Sequence, residues 1–176
     1  MPSKSSRRGN MSSLPSASRR QTRSAGILLH RRRGERLEVL LVHPGGPFWA
    51  RRDEGVWGIP KGEYEPQEED PLAAARREFE EELGVAVPAG PAHDLGEIRQ
   101  RGGKRVHAWA VPGDLDAEAI VSNTFDLEWP PRSGKVIEVP EVDRAEWFAL
   151  EEARTRINPA QVELLDRLVS LVGDER

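Results

Sequence analysis

Residues 61–85, KGEYEPQEEDPLAAARREFEEELGV, constrain this chain more than any other stretch. They spell a helix with both ends marked. Asp70 is a good N-cap, and Pro71 suits the first helical position, where no N–H is needed. Ala73, Ala74 and Ala75 favour the helix interior, and Gly84 suits the left-handed position just past its end. At about 100° per residue, Leu72, Ala75, Phe79 and Leu83 form one apolar stripe that must face a core. Glu78, Glu81 and Glu82 fall at i, i+3 and i+4, on one face beside that stripe. Like charges at this spacing weaken a helix by a few tenths of a kcal/mol per pair. Divalent cations among the oxygens would reverse that repulsion, because hard cations such as Mg2+ take carboxylate ligands. Glu80 points away and reads as ordinary solvent charge.

The same residues carry a resemblance to a known family. The stretch resembles the Nudix box of Nudix hydrolases, G-x5-E-x7-R-E-U-x-E-E-x-G-U, where U is a bulky apolar residue. Arg77, Glu78, Phe79, Glu81, Glu82, Gly84 and Val85 match its second half, and Glu69 precedes Arg77 by the required seven residues. Six residues, one more than the pattern, separate Gly62 from Glu69. The extra residue falls in the Gln67-Glu68-Glu69 turn, where it lengthens a loop and leaves the helix intact.

Length, composition and charge agree. A chain of 176 residues suits one domain. There is no apolar run long enough to span a membrane. Cysteine is absent, which excludes a disulfide framework or thiolate metal site and fits a reducing cytoplasm, the expected location. His30, His43, His93 and His107 show no metal-ligand spacing. Residues 1–33 carry nine Lys or Arg and no acid, which leaves 17 basic against 30 acidic residues for the whole remainder. An acidic body that binds polyphosphate needs metal ions to cancel repulsion.

Residues 1–22, rich in Ser and Arg, read as a disordered tail, and residues 23–176 as the Nudix domain. The tail's composition also suits contact with nucleic acid, a transit peptide or a start at Met11. Residues 25–33 and 37–43 read as strands, 56–59 as a short strand before Pro60, and 94–101 with 105–111 as a hairpin around Gly102-Gly103. Residues 114–119 suit a helical turn, 123–129 and 135–139 flank a turn, and 145–149 form a last strand. Residues 159–172 read as a final helix with Val162, Leu165, Leu168 or Val169, and Val172 on its inner face. The pattern is an α+β domain; the resemblance implies the Nudix fold, a mixed sheet sandwiched between helices.

The resemblance also implies the site. Glu78, Glu81 and Glu82, with the Gly62 carbonyl, would hold Mg2+ or Mn2+. The proton acceptor is one of the box glutamates or a late glutamate before the last-strand Trp147, with Glu141 the best match and Glu138 its competitor. Arg77 would orient a box carboxylate, Glu69 would be structural, and Lys61 would reach a phosphate as a point charge. Arg99, Arg101, Lys104 and Arg105 either contact outer phosphates or solvate a turn. Trp49 and Trp129 are the candidates to stack on a base, and Tyr64 is the chain's one tyrosine. The implied activity is metal-dependent cleavage of a diphosphate bond in a nucleoside diphosphate linked to another moiety, a nucleoside triphosphate or dinucleoside polyphosphate first. Removal of pyrophosphate from RNA 5′ ends, or a catalytically silent module that senses a nucleotide, are the alternatives. The expected partners are a nucleotide substrate, nucleic acid only through the basic tail, no membrane, and a second copy in a homodimer.

Overall fold

A computed structural model describes residues 23–173; the basic tail, 1–22, lies outside them. Strand β1 (Arg23–Arg33) is central. It runs parallel to β5 (Arg105–Pro112) from Arg23 to His30. Its opposite edge is shared between two antiparallel partners. The short β3 (Lys61–Tyr64) covers Arg23–Gly26, and β2 (Arg36–Pro44) covers His30–Arg33. Beyond β5 lies β4 (His93–Arg99), and beyond β2 lies β8 (Val142–Ala149). A separate two-stranded ribbon, β6 (Thr124–Glu128) with β7 (Val136–Pro140), completes the β structure.

Successive side chains of a strand face opposite ways, so β1 feeds two cores. Ile27 and Leu29 pack under helix α1 (Pro71–Leu83) with Leu40, Phe79 and Leu83. Leu28 faces the other layer, with Leu41, Trp57, Phe148 and the apolar side of α3 (Val162–Gly173). Helix α2 (Leu150–Arg156) joins that second layer through Ala153. A mixed sheet thus lies between helices, the expected α+β architecture. Among the described residues no helix is long and apolar enough to cross a membrane.

Helix α1 forms as its sequence dictates. The Asp70 carboxylate accepts from the Ala73 N–H at 3.1 Å, Pro71 opens the helix, and Gly84 closes it at φ 73°. The longer turn before the cap is closed by the Glu65 carbonyl, which accepts from the N–H groups of Glu68 and Glu69, both at 3.0 Å.

Four elements differ from expectation. Residues 56–59 make only single bridges, Val42 to Gly58 and Trp57 to Ile157, and the strand on this segment is β3, which starts beyond Pro60. Proline has no N–H to give a ladder. The last strand begins at Val142, because the ladder with β2 continues past His43 across a bulge. Helix α2 has no side-chain cap and is short, so its sequence signal is weak. The final helix is preceded by a 3-10 turn, Pro159–Gln161, started by Asn158. Its buried stripe is Leu164, Leu165, Leu168 and Val172, while Val169 is 38% exposed. The helical turn expected within 114–119 is present, as a 3-10 turn at Ala117–Ala119 capped by Asp116.

The C-terminal end of α1 is tied to the segment that leads into β6. Val121 N–H donates to the Leu83 carbonyl and Asn123 N–H to the Glu81 carbonyl, each at 3.0 Å. A Cβ on Gly84 would stand 2.6 Å from the Val121 carbonyl oxygen and would require a left-handed backbone. Gly84→Ala is therefore expected to destabilise the fold by about 1–3 kcal/mol, read as a lower urea midpoint; an unchanged midpoint would contradict this account of the helix end.

Candidate active site

The charged face of α1 lies against β3. The Glu78 carboxylate sits directly over Gly62, and a Cβ there would collide with it. Glycine is the residue that permits this approach. One turn on, Glu82 is 8% exposed and takes a hydrogen bond from the Lys61 backbone. Burial, then the Glu141 charge, pushes its carboxyl up to about 8, against the opposing pull of the Lys61 ammonium. Burial raises Glu78 and Glu141 as well, with Glu81 adding to both, and Glu141 to Glu78. Lys61 is itself lowered by burial, a shift that Glu82, Glu63 and Glu78 resist. The four carboxylates and one ammonium that the sequence singled out therefore share one electrostatic neighbourhood.

Arg77 is the clamp beside them. Its Nε donates to Glu69 at 2.9 Å, one terminal nitrogen to Glu78 at 2.8 Å, and the same nitrogen to Glu81 at 3.3 Å. Glu69 lies well apart from the carboxylate cluster in role. Its hydrogen bonds with Arg77 hold its carboxyl below the usual range and keep the guanidinium charged.

Glu141 reaches the box through the backbone. Its N–H donates to the Asn123 carbonyl at 3.0 Å, and Asn123 in turn is bonded to the end of α1. The Glu141 carbonyl accepts from Gly45 N–H at 3.0 Å, which ties in the 44–55 loop. Glu138 is exposed on β7, opposite Asp126, and is not among the residues lining the adjoining cleft.

That cleft, about 310 Å³, is lined by Lys61, Glu82 and Glu141 together with Trp49, Trp57, Val56 and Ile59. Gln100, Asn158 and Gln161 line it too, and sequence reading missed all three. The only signal for Gln161 was a polar residue breaking the apolar approach to α3. His43, fully buried, anchors the loop over the cleft. Its Nδ1 meets Asp143 at 2.9 Å and its Nε2 the Arg52 carbonyl at 2.6 Å.

The remaining candidates divide. Trp49 lines the cleft; Trp129 lies in the β6–β7 turn and does not. Tyr64 is buried in the core under α1. Lys104 reaches Glu63 on β3 at 3.3 Å and Arg105 pairs with Glu97 at 3.9 Å, while Arg99 and Arg101 are exposed and line no part of the cleft.

The donor set suits a hard divalent cation: carboxylates gathered on one helix face, with burial first and neighbouring carboxylates second raising the proton affinity of Glu78, Glu82 and Glu141. Among the described residues no three His, Cys, Asp or Glu side chains stand as a group that could hold a metal ion; Arg77 is bonded to both Glu78 and Glu81.

A model of the NUDIX domain matches residues 20–168. The chain belongs to the Nudix family. Solved structures share the Nudix fold at low identity. A Caenorhabditis elegans Ap4A hydrolase, in a binary complex, superposes with a TM-score of 0.61 at 20% identity, covering 86% of this chain and 98% of that one. The NUDIX domain of Shewanella oneidensis NrtR, complexed with ADP ribose, gives 0.63 at 17%, covering 92% and 94%. An octanoyltransferase from Myxococcus xanthus is 31% identical over 137 residues, 77% of this chain but 33% of that protein; the chain spans about a third of the length of this curated relative. As a Nudix domain, the chain carries its box on α1 and β3, with the pattern's extra residue absorbed in the turn before Asp70.

Between the ordinary glutamate value of 4.5 and about 8, folding retains a proton on Glu82 that the unfolded chain has released. A native state that binds more protons loses stability as pH rises. The metal-free protein should therefore become less stable from pH 4.5 toward about 8, and Glu82→Gln should flatten that slope and raise the melting temperature near pH 8. Parallel melting curves for the two proteins across this range would refute the raised proton affinity of buried Glu82.

Proposed function

We propose that this Nudix hydrolase uses Mg2+ or Mn2+ to split a phosphoanhydride bond in a nucleoside diphosphate linked to another moiety, a nucleoside triphosphate or dinucleoside polyphosphate. The observation that carries this reading is the convergence of Glu78, Glu81, Glu82 and Glu141 beside an aromatic-lined cleft. The nucleotides named with the C. elegans and S. oneidensis proteins support the substrate class.

Glu78, Glu81, Glu82 and the Gly62 carbonyl would hold the cation. When bound, it supplies charge neutralisation at the phosphates and acidifies water. The chain's own groups do the rest. Arg77 fixes where Glu78 and Glu81 point. Lys61, whose ammonium feels the Glu82 charge, would exchange that carboxylate for a substrate phosphate. Glu141 accepts the proton of the attacking water, since a carboxylate raised by burial and by Glu81 is a better base than an exposed one. The water oxygen forms a new bond to phosphorus as the bridging P–O bond breaks and the departing phosphate carries the electron pair. Trp49 offers a face to the base.

Hydrolysis of a panel comprising ATP, GTP and diadenosine tetraphosphate should require a divalent cation and stop with EDTA. Glu82→Gln and Glu141→Gln should each lower kcat by about a hundredfold or more, with Glu141→Gln leaving KM near wild type. Undiminished turnover in EDTA, or by both variants, would sink the proposal.

A further inference from the structure

Two polar side chains in the cleft have no part in this chemistry. Gln161 is only 2% exposed yet lines the cleft, as does Asn158. Each has its oxygen occupied by a backbone donor. Ile59 N–H donates to Gln161 Oε1 at 3.0 Å, and Ala160 N–H donates to Asn158 Oδ1 at 3.0 Å. A backbone N–H can only donate, so these bonds decide which end of each carboxamide is oxygen. Gln161 is also held flat. A Cβ on Gly58 would stand 3.1 Å from its Oε1 and 3.2 Å from its Nε2, so the amide rests on the bare Gly58 backbone. Its Nε2, like the Asn158 Nδ2, donates to no protein acceptor among the described residues. The two residues are adjacent, with Gln161 N–H donating to the Asn158 carbonyl at 2.8 Å.

This part of the cleft therefore presents neutral donors between apolar walls of Trp49, Val56, Trp57 and Ile59. A phosphate is a poor match. Among the described residues the one cation lining the cleft is Lys61, whose charged neighbours are the carboxylates Glu82, Glu63 and Glu78 and Lys104 rather than the two amides. A flat heterocycle matches well, because it can stack on Trp49 and bring an edge to the amides. A volume of about 310 Å³ is at the small end for ligand pockets, enough for one base.

We infer that this wall takes the substrate's nucleobase, and that Gln161, with Asn158, selects bases presenting a ring carbonyl over those presenting an exocyclic amine at the same edge. Guanine and uracil are favoured over adenine and cytosine. A fixed N–H donor bonds to a carbonyl, whereas against an amine two buried donors face each other unpaired. The inference rests on the proposed reading only in taking the ligand to be a nucleotide.

The test is binding of GMP against AMP and UMP against CMP, followed by tryptophan fluorescence, with turnover of GTP and ATP measured alongside. Wild type should bind the carbonyl member of each pair about tenfold or more tightly. Gln161→Glu keeps an acceptor for Ile59 N–H and replaces the donor by an acceptor, so the ratio should collapse or invert. Because both members are read on the same protein, a general loss of affinity from the added charge does not move the ratio. Should Gln161→Glu fail to fold, Asn158→Asp reads the same quantity. Equal wild-type affinities within both pairs, or a ratio untouched by either variant, overturns base selection. Discrimination in binding without turnover of any nucleotide supports base selection and overturns the hydrolysis proposed above. Turnover without discrimination overturns base selection alone, and no binding of any nucleotide overturns both.

Discussion

The site depends on one close approach, that of Glu78 to the bare Cα of Gly62. A helix face carrying three carboxylates gains nothing from lying against a strand. Left to itself it would turn toward water, where like charges at i, i+3 and i+4 cost only a few tenths of a kcal/mol per pair. What turns it inward is the neighbouring stripe. Ala75, Phe79 and Leu83 are fully buried against β1, and each large apolar side chain contributes about 1.5–3 kcal/mol by leaving water. Two such residues outweigh the repulsion several-fold. The helix is thus held by its apolar side, and its charged side is carried along into contact with β3. Gly62 makes the contact possible without a clash, and the raised proton affinity of Glu82 measures how little the carboxylates themselves favour it.

Glu141 is brought to the same place by a different means. It lies 59 residues beyond Glu82 in the chain, and among the described residues no side-chain hydrogen bond holds it there. The backbone does: the last carbonyls of α1 accept from Val121 and Asn123, and Asn123 accepts from Glu141. Ser122 reinforces the joint, its hydroxyl donating to the Asn123 carbonyl at 2.8 Å and accepting from Val142 N–H at 3.0 Å. Helix end and late glutamate are therefore one rigid assembly, and Gly84, which lets the chain turn sharply at that end, belongs to it.

The box helix was legible because its information is local. Caps, stripe and carboxylate face all lie within sixteen residues and obey one period. The mixed sheet between helices was legible from β1, β2 and β5, whose apolar runs are long enough to read. In the sequence Glu141 was preferred over Glu138 only by its position before Trp147, since both are acids near Pro140. Pairing separates them further: Glu138 is fixed opposite Asp126 on an exposed ribbon, whereas Glu141 follows the ribbon and its charge acts on Glu78 and Glu82. Gln161 was invisible for a related reason. A glutamine before a helix is ordinary until Ile59, 102 residues away, is found donating to it.

The run from Trp57 to Gly62 shows why the segment entering the box defied assignment as a strand. Nearly every peptide group in it serves a different element. Trp57 N–H goes to Arg156 and its carbonyl to Asn158, Gly58 exchanges both bonds with Val42, and the Pro60 carbonyl accepts from Ile27. Ile59 N–H holds Gln161, the Lys61 backbone holds Glu82, and Gly62 yields its space to Glu78. A ladder would repeat one partner at a period of two; here the partner changes at each residue. The cost is regularity. The consequence is that one short stretch sets both the carboxylate wall and the amide wall of the cleft, so a shift in its register would displace Glu82 and Gln161 together. The chemistry and the recognition of what undergoes it are thereby coupled through the backbone, with no long side chain spanning the distance between them.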